Sequence, residues 1–304
     1  MKKVLKAVKN PGLLLRMVID KPFVSRFFSD KCYINIMYRL HLGKKPNIEN
    51  PRTYNEKLQW LKLYDRRDEH TVMVDKYEVR KYVADKIGEE YLIPLLGVWD
   101  RAEDIDFDKL PDKFVLKCNH NSGKGMCICK DKSKLDIAKV CKELNEGLKE
   151  NYFYKGREWP YKNIKPRIVC EKYMECSSGD LKDYKFMCYN GEVKHCFVFS
   201  DRFSDSGAYL TVFDTNWERV ALSRPKFDVR NIEISKPVNY EKMIEFARIF
   251  AEGIPFSRID FYEVDGKIYF GEITFFPSSG FQAFEPENWD DIMGSWITLP
   301  EKKS

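Results

Sequence analysis

The stretch Ser257-Arg258-Ile259-Asp260-Phe261-Tyr262-Glu263-Val264-Asp265-Gly266-Lys267-Ile268-Tyr269-Phe270-Gly271-Glu272-Ile273-Thr274 decides the reading of this chain. Two alternating runs flank Asp265-Gly266, the pattern of a β-hairpin. Strand side chains point alternately to opposite faces, so turn length decides which charges meet. A two-residue Asp265-Gly266 turn pairs Val264 with Lys267 and puts Asp260 and Glu272 on opposite faces. A three-residue turn, Val264-Asp265-Gly266 with Gly266 left-handed, pairs Glu263 with Lys267. Arg258 then lies across from Glu272, Asp260 shares their face and Thr274 extends it. Ile259, Phe261, Tyr269 and Ile273 form the other, buried side. The second register separates charge from apolar surface and is the expected one. Two converging carboxylates repel and require a shared cation. Oxygen-only ligands favour Mg²⁺, which takes one or two carboxylates plus substrate phosphates. The alternative is a solvated hairpin whose charges pair with Arg258.

Upstream, Phe114 to Lys117 and Met126 to Cys129 read as strands joined by a polar loop containing Asn121-Ser122-Gly123-Lys124-Gly125. Lys117 and the loop's free N–H groups suit a polyphosphate, although a plain hairpin tip has the same appearance. No GxxxxGK[ST] occurs, so this is not a Walker A loop. Further on, Val169-Cys170-Glu171-Lys172-Tyr173-Met174 is a strand running into Glu175 to Gly179. Its end offers backbone groups and a carboxylate to an adenine amino group, or is an ordinary edge strand.

Around these lie a capping box at Thr53-Tyr54-Asn55-Glu56 opening a helix, and a helix over about Val74 to Ile87. A short strand is expected within Tyr91 to Val98, and an exposed acidic linker at Asp104-Ile105-Asp106-Phe107-Asp108. A helix spans about Ile137 to Leu148. Strands follow at Arg167–Tyr173, Asp183–Tyr189, Glu192–Phe199 and Leu210–Phe213, with an Asn190-Gly191 hairpin turn. A last helix runs from Tyr240 to Glu252. Strands and helices in this order predict α+β lobes around a cleft.

The 304 residues are 43% hydrophobic and 33% charged, ordinary for a globular protein. No run of about 18 apolar residues is present, and Met1-Lys2-Lys3 begins no recognisable signal peptide. The nine cysteines form no zinc pattern and read as reduced thiols of a cytoplasmic protein. Net charge is +5, but residues 1–31 carry eight Lys/Arg against Asp20 and Asp30, a net +6. The main body therefore sums to −1 and offers no nucleic-acid footprint. Leu13, Leu14, Leu15, Met17, Val18 and Ile19 accompany those bases. Either the segment touches an anionic membrane surface, or it packs on the body with a solvated basic face. His120 borders the loop, and His195 reads as structural. Arg202 and Arg219 are candidate cations for an anionic substrate.

Taken together, these elements resemble the ATP-grasp superfamily and, within it, the TupA-like family. The likeness runs over about residues 53–300. Its motif order is similar to that of D-alanine–D-alanine ligase: Asp75-Lys76, Leu116-Lys117, Ser122 to Met126, Glu171-Lys172-Tyr173, Arg258-Ile259-Asp260, and Glu272 to Gly280. The resemblance implies an ATP-grasp fold, two α+β lobes clamping ATP. It divides the chain into a basic helical segment (1–50), a preceding region (51–110), a small lobe (111–175) and a C-terminal lobe (176–304). It also implies roles. Lys76 and Lys117 would bind phosphates under a closing loop of Ser122, Gly123, Lys124, Gly125 and Met126. Glu171 and the Lys172, Tyr173 and Met174 backbone would hold adenine, and Asp183 the ribose. Asp260 and Glu272 would ligate Mg²⁺, with Thr274 where the family has Asn, and Arg258 would steady the tetrahedral intermediate. Ser278, Ser279 and Gly280 would contact substrate. The activity implied is ATP-dependent ligation of a carboxylate, such as a uronic acid, to an amine or amino acid in surface-polysaccharide synthesis. The rivals are a sugar kinase, a non-catalytic nucleotide sensor, and a glycosyltransferase using Asp104-Ile105-Asp106.

Overall fold

The computed structural model describes residues 11–177, 179, 181–200, 208–225, 227 and 233–302. The helices are α1 (Pro11–Ile19), α2 (Pro22–Ser25), α3 (Asp30–Leu42), α4 (Tyr54–Tyr64), α5 (Asp68–Val74), α6 (Val79–Ile87), α7 (Ile137–Leu148), α8 (Tyr240–Ala251) and α9 (Trp289–Ser295). The strands are β1 (Leu95–Trp99), β2 (Phe114–Cys118), β3 (Met126–Cys129), β4 (Ile168–Lys172), β5 (Asp183–Tyr189), β6 (Glu192–Ser200), β7 (Tyr209–Asp214), β8 (Phe256–Val264) and β9 (Lys267–Thr274). They form two antiparallel sheets, ordered β1-β4-β2-β3 and β7-β6-β5-β8-β9. The α+β expectation holds.

Local chemistry sets the boundaries. The capping box starts α4: the Thr53 hydroxyl accepts from Glu56 N–H, and the Glu56 carboxylate accepts from Thr53 N–H. Asn190 and Gly191 both have positive φ and make the tight β5–β6 turn. The helix expected over Val74 to Ile87 is interrupted. Asp75 is extended, and its carboxylate accepts from the N–H groups of Tyr77 and Glu78 at 2.8 and 3.3 Å, so α5 stops and α6 starts anew. The Asp104–Asp108 segment is no linker. Its two 3-10 turns bury Ile105 and Phe107, because these side chains have a core to enter.

Two separate apolar cores underlie the two sheets. The smaller joins Ala102, Ile105, Phe107 and Leu110 to Phe114, Leu116, Leu144 and Ile168. The larger joins Tyr33, Tyr38, Tyr54 and Leu58 from the N-terminal helices to Phe186, Phe256, Ile259 and Phe281. The expected divisions at 50 and 110 therefore fall inside shared cores. β1 and the turns after it belong with the four-stranded sheet, and the first helices pack on the C-terminal lobe.

Candidate active site

The hairpin reaches the expected geometry by an unexpected route. Val264 pairs with Lys267 across a two-residue turn in which Asp265 and Gly266 have φ of 50° and 77°. This is the register that charge segregation disfavoured. The ladder then shifts between Asp260 and Phe261, leaving Gly271 as an extra residue, so Asp260 lies directly across from Glu272 and Arg258 across from Thr274. One inserted residue reverses parity and returns the carboxylates to one face. The apolar side is corrected accordingly: Phe270, not Tyr269, sits opposite Phe261 and is buried. Gly271 suits the bulge because a Cβ there would stand 3.0 Å from the Asp260 carbonyl oxygen.

Arg258 closes the charge cluster. Its Nε donates to Asp260 Oδ1 at 2.7 Å, and its Nη2 to Asp260 Oδ2, Glu272 Oε1 and Thr274 Oγ1 at 2.7, 2.6 and 3.0 Å. A second cation was not foreseen. Lys185, the register partner of Asp260 on β5, donates to Asp260 Oδ2 and pairs with Asp183 at 2.7 Å. Pairing with Arg258 is thus real, but in a buried cluster rather than on a solvated hairpin: the Asp260 side chain is 1% exposed. Burial raises the Asp260 carboxyl against the pull of Arg258 and Lys185. Desolvation would raise Glu272 too, but its side chain is 42% exposed, and Arg258, Lys185, Lys76 and Lys117 hold it low, at about 2. Burial would lower the Arg258 guanidinium, but Asp260 and Glu272 keep it firmly charged.

The facing wall comes from the smaller sheet. The β2–β4 register sets Lys117 and Glu171 diagonally on one face, and their charged ends meet at 2.6 Å. Arg80 approaches Glu171 at 3.8 Å. Lys76 donates to the Asn121 carbonyl at 2.7 Å, and burial lowers its ammonium pKa. Asn119 locks the arrangement, donating from Nδ2 to Asp75 at 2.9 Å while its carbonyl accepts from Lys76 N–H.

Between the walls lies a cleft of about 720 Å³. It brings together Lys76, Lys117, Ser122, Gly123, Met126, Glu171, Lys172, Tyr173, Met174, Asp183, Asp260 and Glu272, with Lys185 added. Lys124 is exposed and Gly125 packs on Gly147 of α7, and neither lines it. The Lys172 N–H is spent on the Pro94 carbonyl. The Tyr173, Met174 and Glu175 backbone groups have no hydrogen-bond partner among the described residues, which leaves them for a ligand edge. Arg258 and Thr274 reach the cleft only through Asp260 and Glu272.

The remaining candidates fall elsewhere. Arg202 lies outside the described residues. Arg219 is exposed on the turn after β7, bridging Phe213, and does not line the cleft. Ser278, Ser279 and Gly280 all have positive φ, and their polar groups serve the fold. The buried Lys62 ammonium donates to the Ser279 and Gly156 carbonyls at 2.6 Å, and Ser279 Oγ donates to Glu158 at 2.6 Å. Asp104 and Asp106 pair with Arg101 and Lys109 on exposed turns outside the cleft, which leaves the DxD alternative no site. His120 is buried with Nε2 2.9 Å from the Glu150 carbonyl oxygen. His195 is buried in a stack with Phe197.

The residues fit Mg²⁺ and a nucleotide. Among the described residues no three His, Cys, Asp or Glu side chains converge to hold a metal alone. Glu272 Oε2, however, has no hydrogen-bond partner among them and faces a cleft rimmed with lysines. A Mg²⁺ ion held there by Glu272 would need further oxygen ligands, which a nucleotide's phosphates could supply.

A two-sheet clamp with lysines on one wall and a carboxylate hairpin on the other is the ATP-grasp arrangement. Residues 56–298 match the family described as TupA-like ATPgrasp, and the chain belongs to that family. None of the curated proteins matches it. Among solved structures, D-alanine–D-alanine ligase from Bacillus anthracis complexed with ATP is 17% identical, with TM-score 0.39, covering 67% of this chain and 53% of that one. The Helicobacter pylori D-alanine–D-alanine ligase is 12% identical, with TM-score 0.41, covering 75% and 62%. The ATP-grasp ligase PsnB, complexed with minimal precursor, Mg and ADP, is 13% identical, with TM-score 0.39, covering 73% and 57%. The chain thus spans less than two thirds of each.

Proposed function

We propose that the chain is an ATP- and Mg²⁺-dependent carboxylate–amine ligase working through an acyl phosphate, with a uronic-acid-type carboxylate and an amine or amino acid as co-substrates in surface-polysaccharide synthesis. The observation that carries the reading is the bulged hairpin, which sets Asp260 across from Glu272 on a cleft shared with Lys76 and Lys117.

Asp260 and Glu272 would hold Mg²⁺, which when bound offsets charge on the polyphosphate. Lys76 and Lys117 orient the phosphates, and Ser122 and Gly123 cover them. The unpaired Tyr173–Glu175 backbone receives the base. Arg258, fixed by two carboxylates behind the cleft wall, would contribute a permanent positive charge that favours the oxyanion developing as the carboxylate is attacked. These groups are preformed, so little reorganisation accompanies the reaction.

The test is incubation with Mg·ATP and a panel of uronic acids and amino acids. The expected result is ADP release that needs both co-substrates and a product lighter than their sum by one water. A product that instead gains a phosphate identifies a kinase, and nucleotide binding without any turnover identifies a sensor. Either result overturns the ligase.

A further inference from the structure

Of the eleven large apolar side chains that the described residues expose, six fall between residues 14 and 27: Leu14, Leu15, Met17, Val18, Phe23 and Phe27. Phe23 and Phe27 are 76% and 78% exposed and meet edge to face at 5.6 Å. Such a concentration of solvent-facing apolar surface requires a partner.

This segment is not a loose tail. Ile19 and Ser25 are buried against the body. Tyr33 donates to Asp20 at 2.6 Å, and Ser25 Oγ to the Tyr154 carbonyl at 2.9 Å. The buried Arg157 guanidinium donates to the Ser25 and Phe28 carbonyls at 2.5 and 3.2 Å and pairs with Asp30 at 3.0 Å. The inner face is thus held by polar contacts while the rings are displayed outward. Charge is sorted in the same sense. Asp20 and Asp30 are turned inward on Tyr33, Arg66 and Arg157, whereas Lys21 and Arg26 are exposed beside the rings. Lys2, Lys3, Lys6 and Lys9 precede them in the sequence.

We infer that α1, α2 and their flanks form a docking surface for an anionic lipid bilayer, with Phe23 and Phe27 entering the interface and the Lys/Arg side chains meeting acidic headgroups. Apolar rings flanked by bases match that boundary, which is apolar within and negative at its surface. A protein partner would need its own acids around an apolar pocket, and nothing in the structure selects one.

The experiment is co-sedimentation of the full chain with phosphatidylcholine vesicles, with and without phosphatidylglycerol. The expected result is binding to the anionic vesicles only, weakening as salt shortens the range of the charges. Phe23→Ser with Phe27→Ser should weaken it by roughly tenfold or more, and Lys21→Glu should weaken it separately. The variants should keep the wild-type circular dichroism and Mg·ATP thermal shift. No binding, equal binding to neutral vesicles, or variants that bind as the wild type does would overturn the proposal. So would a dimer that the Phe substitutions dissolve, since a second copy would then be the occupant.

Discussion

At the residue scale, the site is a balance of fixed charges. Asp260 has both oxygens engaged by Arg258 and Lys185, whereas Glu272 keeps Oε2 for a ligand. Glu272→Gln therefore removes the hairpin carboxylate oxygen that carries no hydrogen bond among the described residues, while leaving Arg258 its bidentate partner Asp260. The expected outcome is at least a roughly tenfold loss of Mg·ATP affinity with the fold retained, read as a vanished nucleotide-induced thermal shift at unchanged apo Tm. An undiminished shift would remove Glu272 from the metal site. Lys185 was legible in principle: Asp183-Tyr184-Lys185 alternates on a strand, the same signal that marked Asp260. Its partner lies 75 residues away, and pairing of β5 with β8 is written in neither segment alone. Ser278 to Gly280, which the resemblance assigns to substrate, form a turn of three consecutive positive φ angles held by the buried Lys62, a contact that no local pattern announces.

At the element scale, the β8–β9 hairpin shows why alternation predicts faces better than it predicts turns. Grouping Arg258, Asp260 and Glu272 on one face was correct because burial of Ile259, Phe261 and Ile273 demands it. The turn was misassigned because a bulge satisfies the same demand later in the strand. Asp265-Gly266 then behaves as that dipeptide ordinarily does. The break at Asp75 is a similar case: its carboxylate accepts locally from Tyr77 and Glu78 N–H and from the distant Asn119, and the latter partner is not visible in the local sequence. Gly271→Ala tests the bulge. A methyl group 3.0 Å from the Asp260 carbonyl oxygen and 3.3 Å from its Cβ requires β8 to give way by a few tenths of an ångström at Asp260. The expected cost is about 1–3 kcal/mol of stability, together with a larger proportional loss of Mg·ATP binding. Equal losses would mean that the bulge does not position the carboxylates.

At the scale of the whole molecule, sequence showed the order of the motifs but not which segments share a core. By charge the basic segment 1–31 has either a membrane or the body to meet; Ile19 within it, and Tyr33, Tyr38 and Leu58 after it, join the core of the C-terminal lobe. That core also buries His195, whose pKa burial, helped by Arg224, lowers to about 3. An unfolded histidine titrates near 6.5, so between about 6.5 and 3 the unfolded chain takes up a proton that the folded chain refuses. Stability must fall with acid over that window, by up to about 1.4 kcal/mol per pH unit from this residue. His195→Leu should flatten the limb by that slope between about pH 6 and 4 in urea titrations, and identical slopes would refute the assignment.

Arg157 has a consequence of another kind. One guanidinium grips the turn that carries the outward rings, and the next residue along the chain, Glu158, takes the hydrogen bond of Ser279 just beyond the β8–β9 hairpin. The ledge and the lobe that carries the β8–β9 hairpin are therefore braced to each other by two consecutive residues, so that a force applied at the rings is passed on to the turn behind the cleft rather than absorbed by a loose tail.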